Sequence, residues 1–394
     1  MRLSPVAKPA CRSQDWRGGE WSQREEIDAG KQTGKSLAFA SASALAQGSA
    51  AEQSGFASDR LARITETLKA DVAKGTLPGA VLLVQRKGKV AYFEAVGALD
   101  PQTKVPMEKD GIFRIYSMTK PLTSVAAMML VEQGRMQLSD PVAKYLPALK
   151  DVQVGTEKAG ADGKPELETA PARRAMTVQD LLRHTSGITY GFFGNSLVKK
   201  TYAGIFEGEF DNAEHVARLA KLPLHYEPGT TWDYSHSTDV LGAVVEVVTG
   251  KKLDAALKEM LTDPLGMKDT AFHVADAADH KRVVEPFAND RSLGGGIEFF
   301  DPRQPTRWLS GGGGMVGTAS DYARFLQMLL NGGSLDGKRY LSPQTVRYMT
   351  ADHMGSLIKP GPLYLPGAGY GFGLGFAVRM SHGVAPYSGS VGDY

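Results

Sequence analysis

Apolar positions along this chain recur at helical spacing in some stretches and at short strand-like spacing in others, and these rhythms predict most of its elements. Ser58 to Lys74 carries a helical pattern, with Ser58 or Asp59 expected as its cap and Gly75 as its stop. Ala80 to Val84 and Val90 to Val96 read as strands of a hairpin over Pro78 to Gly97, turning at Arg86-Lys87-Gly88-Lys89. After the extended Phe113-Arg114-Ile115-Tyr116, Val125, Met128, Met129 and Leu130 define an apolar helix that stops at Gly134. Asp151 to Ala175 is polar, contains Gly and Pro and has no period, so a surface excursion is expected there. Thr177 to His184 reads as a short helix capped by Thr177, and Val240 to Thr249 as an apolar helix stopped at Gly250. Between them, Thr189 to Gly229 is aromatic-rich and irregular, the kind of section that lines or covers a pocket. Gly311 to Gly314 is expected to be a flexible turn, followed by a helix from Ser320 to Leu330 with Ser320 as cap. Tyr370 to Val378 alternates Gly with bulky apolar residues and reads as a strand whose backbone comes close to a neighbour.

The first part of the chain follows no such rhythm. Residues 1–54 pass from a mixed-charge stretch into the Ala- and Ser-rich segment Ser36 to Ala51, and read as a disordered or leader extension outside the fold. Ala44-Leu45-Ala46 resembles the tail of a secretory signal, but the apolar region before it is weak, so the compartment, cytoplasm or periplasm, stays open. The remaining residues, 55–394, are long enough to bury one sizeable core.

Composition narrows the chemistry. A net charge of +2, without basic runs interleaved with aromatics, argues against a nucleic-acid surface. No apolar run reaches the length of a membrane-spanning helix. The single Cys11 rules out an intrachain disulfide, and the eight histidines show no short zinc-ligand spacing. Nothing in the sequence fixes an oligomeric state.

The richest signal is Ser117-Met118-Thr119-Lys120, a nucleophile-type serine three residues before a lysine at the head of the apolar helix. Ser-x-x-Lys also occurs at Ser196 to Lys199 and Ser356 to Lys359, where a chance match on a surface loop is expected. Residues three apart on a helix share a face, so Ser117 and Lys120 can meet, near the positive end of the helix dipole. Pro121 falls in the first turn, where its missing N–H does least harm. A serine hydroxyl needs a base, and lysine serves only as its neutral amine, which requires burial. Tyr234, within Trp232-Asp233-Tyr234-Ser235 on a loop between helices, is the candidate for a second proton-handling group.

Together with Leu181 to Gly187, Tyr234-Ser235-His236, Gly311 to Thr318 with Asp321-Tyr322-Ala323, and Gly369 to Gly375, this segment resembles the serine hydrolases of the penicillin-recognising fold. These comprise class C β-lactamases, D-alanyl-D-alanine carboxypeptidases and family VIII carboxylesterases. The resemblance runs from about Gly55 onward. It implies an α/β (α+β) fold of the β-lactamase/transpeptidase-like kind, an antiparallel sheet flanked by helices, with a mostly helical subdomain over roughly 125–310.

By the same resemblance Ser117 is the nucleophile, Lys120 the base or relay and Tyr234 the second relay, with Trp232, His236 and Gly313 as substrate contacts. The substrate implied is a small-molecule carboxylic ester, and neither metal nor organic cofactor is implied. His236 stands where lactamases and peptidases usually carry Asn after Tyr-x, which favours the esterase branch over the lactamase or peptidase alternative. His236 and His184 each also fit a purely structural part.

The family's third motif, a strand bordering the cleft, has no match here. Val391 to Tyr394 resembles its lead-in, so the resemblance implies a C-terminally truncated fold. With one oxyanion donor remaining, the N–H of Ser117, a cost of about 100- to 1000-fold in rate is expected. An unpaired sheet edge would favour self-association. A catalytically inactive binding or scaffold relative is the reading from a different class.

Overall fold

The computed structural model describes residues 49–288, 290 and 300–394. The expected leader over 1–48, with Cys11 and Ala44 to Ala46, lies outside the described residues. Residues 49–54 do not belong with an extension. They form α1 (Ala50–Gln53), closed by a reciprocal Ser49–Glu52 capping box, and Ala51 is buried against Leu61 and Tyr92.

α2 (Ser58–Ala73) runs to Gly75, whose φ of 73° gives the expected left-handed stop. Its cap is Ala57 rather than Ser58 or Asp59, so no side chain accepts from the first turn. The helix packs on a hairpin of β1 (Gly79–Arg86) and β2 (Lys89–Asp100), with the Thr65 Oγ1 and Tyr92 Oη hydroxyls 2.6 Å apart. Lys87 and Gly88 both have positive φ, 51° and 75°, the primed turn that matches strand twist. β3 (Val105–Pro106) adds to β2 to complete an antiparallel sheet of order β1-β2-β3.

β4 (Phe113–Arg114) leads to the nucleophile segment, where a 3-10 turn over Tyr116–Met118 passes into α3 (Thr119–Glu132). Leu122, Val125, Ala126 and Leu130 have no exposed surface, so α3 is a central rod of the core rather than an amphipathic surface helix. Gly134, φ 71°, terminates it.

Asp151 to Ala175 is not structureless. β5 (Gln153–Ala159) and β6 (Pro165–Pro171) pair antiparallel over their full length, from Gln153↔Pro171 to Ala159↔Pro165. Both faces are largely solvated, so the alternation that marks a half-buried strand is missing; cross-strand pairing, with a Lys158–Glu168 ion pair, holds the ladder.

α4 (Val178–Leu182) starts as expected at Thr177, in a capping box with Asp180. The buried Asp180 carboxylate accepts from Arg174 at 2.7 and 3.0 Å, Arg183 at 3.0 Å and Thr185 at 2.9 Å. Burial alone would raise its pKa; the Arg174 hydrogen bonds and the Thr177 N–H outweigh burial and hold it below the usual carboxylate range. A depressed folded-state pKa contributes stability above the unfolded value that is lost as pH falls through the folded one. Asp180→Asn is therefore expected to cost about 3 kcal/mol in urea unfolding at pH 7. The gap to wild type should narrow below about pH 4.

Onward come α5 (Leu197–Thr201), α6 (Asn212–Leu219), the short β7 (Thr231–Trp232) and α7 (Ser237–Thr249), stopped at the left-handed Gly250. α8 (Leu253–Leu257) and α9 (Asp263–Leu265) follow, joined by a π-helical turn. The stretch 125–310 thus carries helices together with the β5–β6 hairpin. β8 (Val316–Gly317) pairs antiparallel with β4. α10 (Ala319–Leu330) is capped by Thr318, not Ser320: the Thr318 hydroxyl accepts from the Asp321 N–H.

The hairpin β9 (Ser334–Leu335) and β10 (Lys338–Arg339) precedes α11 (Pro343–Met349), and β11 (Lys359–Pro360) lies parallel to β7. Tyr370 to Val378 is a tight hairpin rather than one strand, β12 (Tyr370–Phe372) with β13 (Ala377–Arg379). Gly375, φ 96°, supplies the reversal, and a Cβ on Gly373 would stand 2.1 Å from the Met349 carbonyl oxygen. The whole is a mixed α/β fold, and among the described residues no helix is long and apolar enough to cross a membrane.

Candidate active site

Two chain segments are locked together around Ser117. The β4–β8 pairing aligns Phe113 with Gly317 and Arg114 with Val316, and Ile115 N–H donates to the Met315 carbonyl. Tyr116 then adopts φ 40°, a left-handed conformation rare outside glycine, and the chain swings into the 3-10 turn. Met315 N–H donates to Thr119 Oγ1 at 3.1 Å, Thr123 Oγ1 to the Gly311 carbonyl at 2.9 Å, and Tyr322 Oη to the Met118 carbonyl at 3.0 Å. The result is an exposed Ser117 on a backbone fixed from both sides, with Lys120 buried behind it.

Lys120 Nζ lies 3.2 Å from Ser117 Oγ, donates to the Gly312 carbonyl at 2.7 Å and reaches Tyr190 Oη at 3.4 Å. It also sits 4.5 Å from the centroid of the Tyr234 ring. Ser117, Lys120 and Tyr234 are thus brought together, with Tyr234 half-buried and its hydroxyl without a hydrogen bond among the described residues.

Gly311 to Gly314 is not a loose turn. Asp239, on α7, accepts from Gly312 N–H at 3.0 Å and from Ser310 Oγ at 2.5 Å, which fixes the carbonyl that receives Lys120. A Cβ on Gly312 would stand 2.8 Å from the Asp239 carboxylate, and one on Gly311 2.7 Å from the Thr238 carbonyl, so both glycines answer to close approach. Burial would raise the Asp239 pKa, but the hydrogen bond from His236, with the electrostatics of its neighbours, holds it well below the ordinary range. Gly313 borders the nucleophile turn: its Cβ position is 3.8 Å from the Tyr116 carbonyl carbon.

Trp232 and His236 do not line an open cleft. Trp232 is 1% exposed, packed with Met354, Ile358 and Phe372, and His236 is fully buried among Tyr190, Phe206 and His215. The expectation that both touch substrate is corrected: each sits one layer behind the wall that Tyr234 forms. His184, φ 56°, wedges between Trp232, Tyr234 and Phe372, and burial, with the nearby Lys120 charge, pushes its pKa down to about 3. It is neutral through the physiological range and braces the Tyr234 loop.

The other two Ser-x-x-Lys matches build structure. Ser196 caps α5 and Lys199 faces the buried Asp233 at 3.6 Å, while Lys359 is exposed in β11. Tyr190, which contacts Lys120, escaped sequence reading because its neighbours Thr189 and Gly191 carry no motif; its place in the aromatic-rich section was the available signal. Burial pushes its phenol well up.

Comparison with known proteins matches residues 64–392 to the family described as Beta-lactamase. An uncharacterized protein of Mycobacterium tuberculosis is 38% identical over 309 residues, covering 78% of this chain and 75% of that protein. Esterase EstB of Burkholderia gladioli is 33% identical over 290 residues, covering 68% of this chain and 69% of that protein. Among solved structures, EstCE1, a hydrolase with promiscuous acyltransferase activity, superimposes with a TM-score of 0.67 at 28% identity, covering 87% of this chain and 88% of that one.

Proposed function

Because the chain belongs to the Beta-lactamase family, with esterases and acyltransferases among its relatives, we propose that it is a serine esterase acting on small carboxylic esters through an acyl-serine intermediate. The observation that carries this reading is the exposed Ser117 hydroxyl 3.2 Å from the buried Lys120 amine, beneath the face of Tyr234.

In the first half-reaction Ser117 Oγ attacks the ester carbonyl carbon as its proton passes to the Lys120–Tyr234 pair. The tetrahedral oxyanion collapses, the alkoxide leaves, and the proton held by Lys120 and Tyr234 goes to it, releasing the alcohol. A water then attacks the acyl-serine, giving its proton back through the same pair, and the acid departs with Ser117 restored. The bond from Lys120 to the Gly312 carbonyl and the contact with Tyr190 hold the amine in place, which supports a relay set by geometry. An alcohol in place of that water would make the same intermediate an acyl donor, and acyltransferase activity is named for EstCE1.

The lactamase or peptidase alternative gains no support from position 236, since its side chain is sequestered and offers no amide to a substrate. Hydrolysis of p-nitrophenyl butyrate compared with nitrocefin tests the proposal. The ester is expected to turn over with kcat/KM at least about 100-fold above that for the lactam, a difference of some 2.7 kcal/mol in transition-state binding. Faster nitrocefin turnover would assign the site to lactams instead.

A further inference from the structure

The Gly311 to Gly314 turn rests on a second cluster that the esterase reading does not use. His215 on α6, His236 at the N-terminal boundary of α7 and Asp239 in its first turn each present one ligand-type atom, and these atoms all lie within 4.8 Å of one another. The three are buried, at 1%, 0% and 4% exposure. Asp239 uses Oδ1 for Ser310 and Gly312, while Oδ2 faces His236 Nδ1 at 3.2 Å.

The remaining polar atoms are left over. Neither ring nitrogen of His215, nor Nε2 of His236, has a hydrogen-bond partner among the described residues, and Trp308 Nε1, whose ring meets His215 at 4.8 Å, is in the same position. Buried polar groups in folded proteins are almost always satisfied, so several orphans in one place call for a common partner. Aromatic packing does not supply it: His215 stacks on Phe210 at 5.5 Å and meets the His236 and Trp308 rings at 4.9 and 4.8 Å, contacts that leave the lone pairs in the ring planes unused.

We infer that His215, His236 and Asp239 form a buried site for a divalent zinc ion. Two imidazole nitrogens and one carboxylate oxygen are a donor set suited to zinc. The ion would clamp α6 to α7 and hold Asp239 against Gly312, the residue whose carbonyl receives Lys120. The role is structural, one layer behind the reacting atoms, and the inference stands whether or not the substrate is an ester. No short His–His spacing announces it, because His215 lies on α6 and His236 at the start of α7.

The test is metal content. The full chain is produced in zinc-supplemented medium, treated briefly with EDTA to strip surface metal, and measured by mass spectrometry of its elements. About one zinc per chain is expected for wild type. His215→Gln and His236→Gln should each weaken retention by roughly 10- to 100-fold or more, while His382→Gln, at an exposed site, should not. Should the two buried variants fail to fold, wild type unfolded in EDTA and refolded with and without zinc sulfate decides: zinc should raise its Tm. A natively folded wild type with negligible zinc and no Tm response, or a folded His215→Gln/His236→Gln double variant that keeps its zinc, overturns the inference.

Discussion

Ser117→Ala is expected to abolish ester turnover, lowering kcat by roughly 10^4- to 10^6-fold while leaving the fold intact. The side chain is exposed and among the described residues its hydroxyl takes part in one hydrogen bond, that from Lys120, so its removal leaves no cavity in the core. Lys120 keeps its bond to the Gly312 carbonyl at 2.7 Å and stays positioned. The measurement is p-nitrophenolate release by wild type and variant at matched far-ultraviolet circular dichroism. A variant retaining a tenth of wild-type activity would place the nucleophile elsewhere.

The second large effect is expected at Lys120, and it separates charge from proton transfer. Lys120→Met should cost about 100- to 10,000-fold in kcat, the range for a lost general base. It should also cost about 1–3 kcal/mol of stability, because the Gly312 carbonyl loses its partner in a buried site. Lys120→Arg keeps a cation and donors for that carbonyl, yet a guanidinium does not release its proton, so its kcat should fall as far as that of Met. An arginine variant with near-wild-type kcat would show that Lys120 holds charge in place and moves no proton. Stability by urea unfolding alongside kcat reads the two contributions separately.

How much of this was legible in the sequence depended on how local each signal was. The Lys87-Gly88 turn, the stops at Gly75, Gly134 and Gly250 and the Thr177 cap each follow from what one or two residues do to the backbone, and they fall where expected. The β5–β6 hairpin was hidden because strands solvated on both faces lose the alternation that burial imposes. The split of Tyr370 to Val378 turned on the reversal at the left-handed Gly375, which an alternation of Gly with apolar residues does not distinguish from a continuous strand.

The site divides the same way. Ser117 and Lys120 share a helix turn, and their meeting follows from helix geometry. Asp239, which fixes the turn that Lys120 bonds to, stands 73 residues from Gly312, and nothing in its local sequence announces the link. Trp232 and His236 flank Tyr234 in sequence, but the loop leaves the tyrosine half-buried beside Lys120 and turns its neighbours into the core.

The central claim is that Ser117 carries the acyl group, and trapping it is the most direct test. The folded chain is incubated with a p-nitrophenyl phosphonate ester, and intact-mass and peptide-mapping spectra are recorded beside Ser117→Ala. The account predicts one phosphonyl adduct per chain, on the peptide containing Ser117, and none in the variant. A folded wild type that stays unlabelled, or an adduct mapping to another serine such as Ser196, would contradict it.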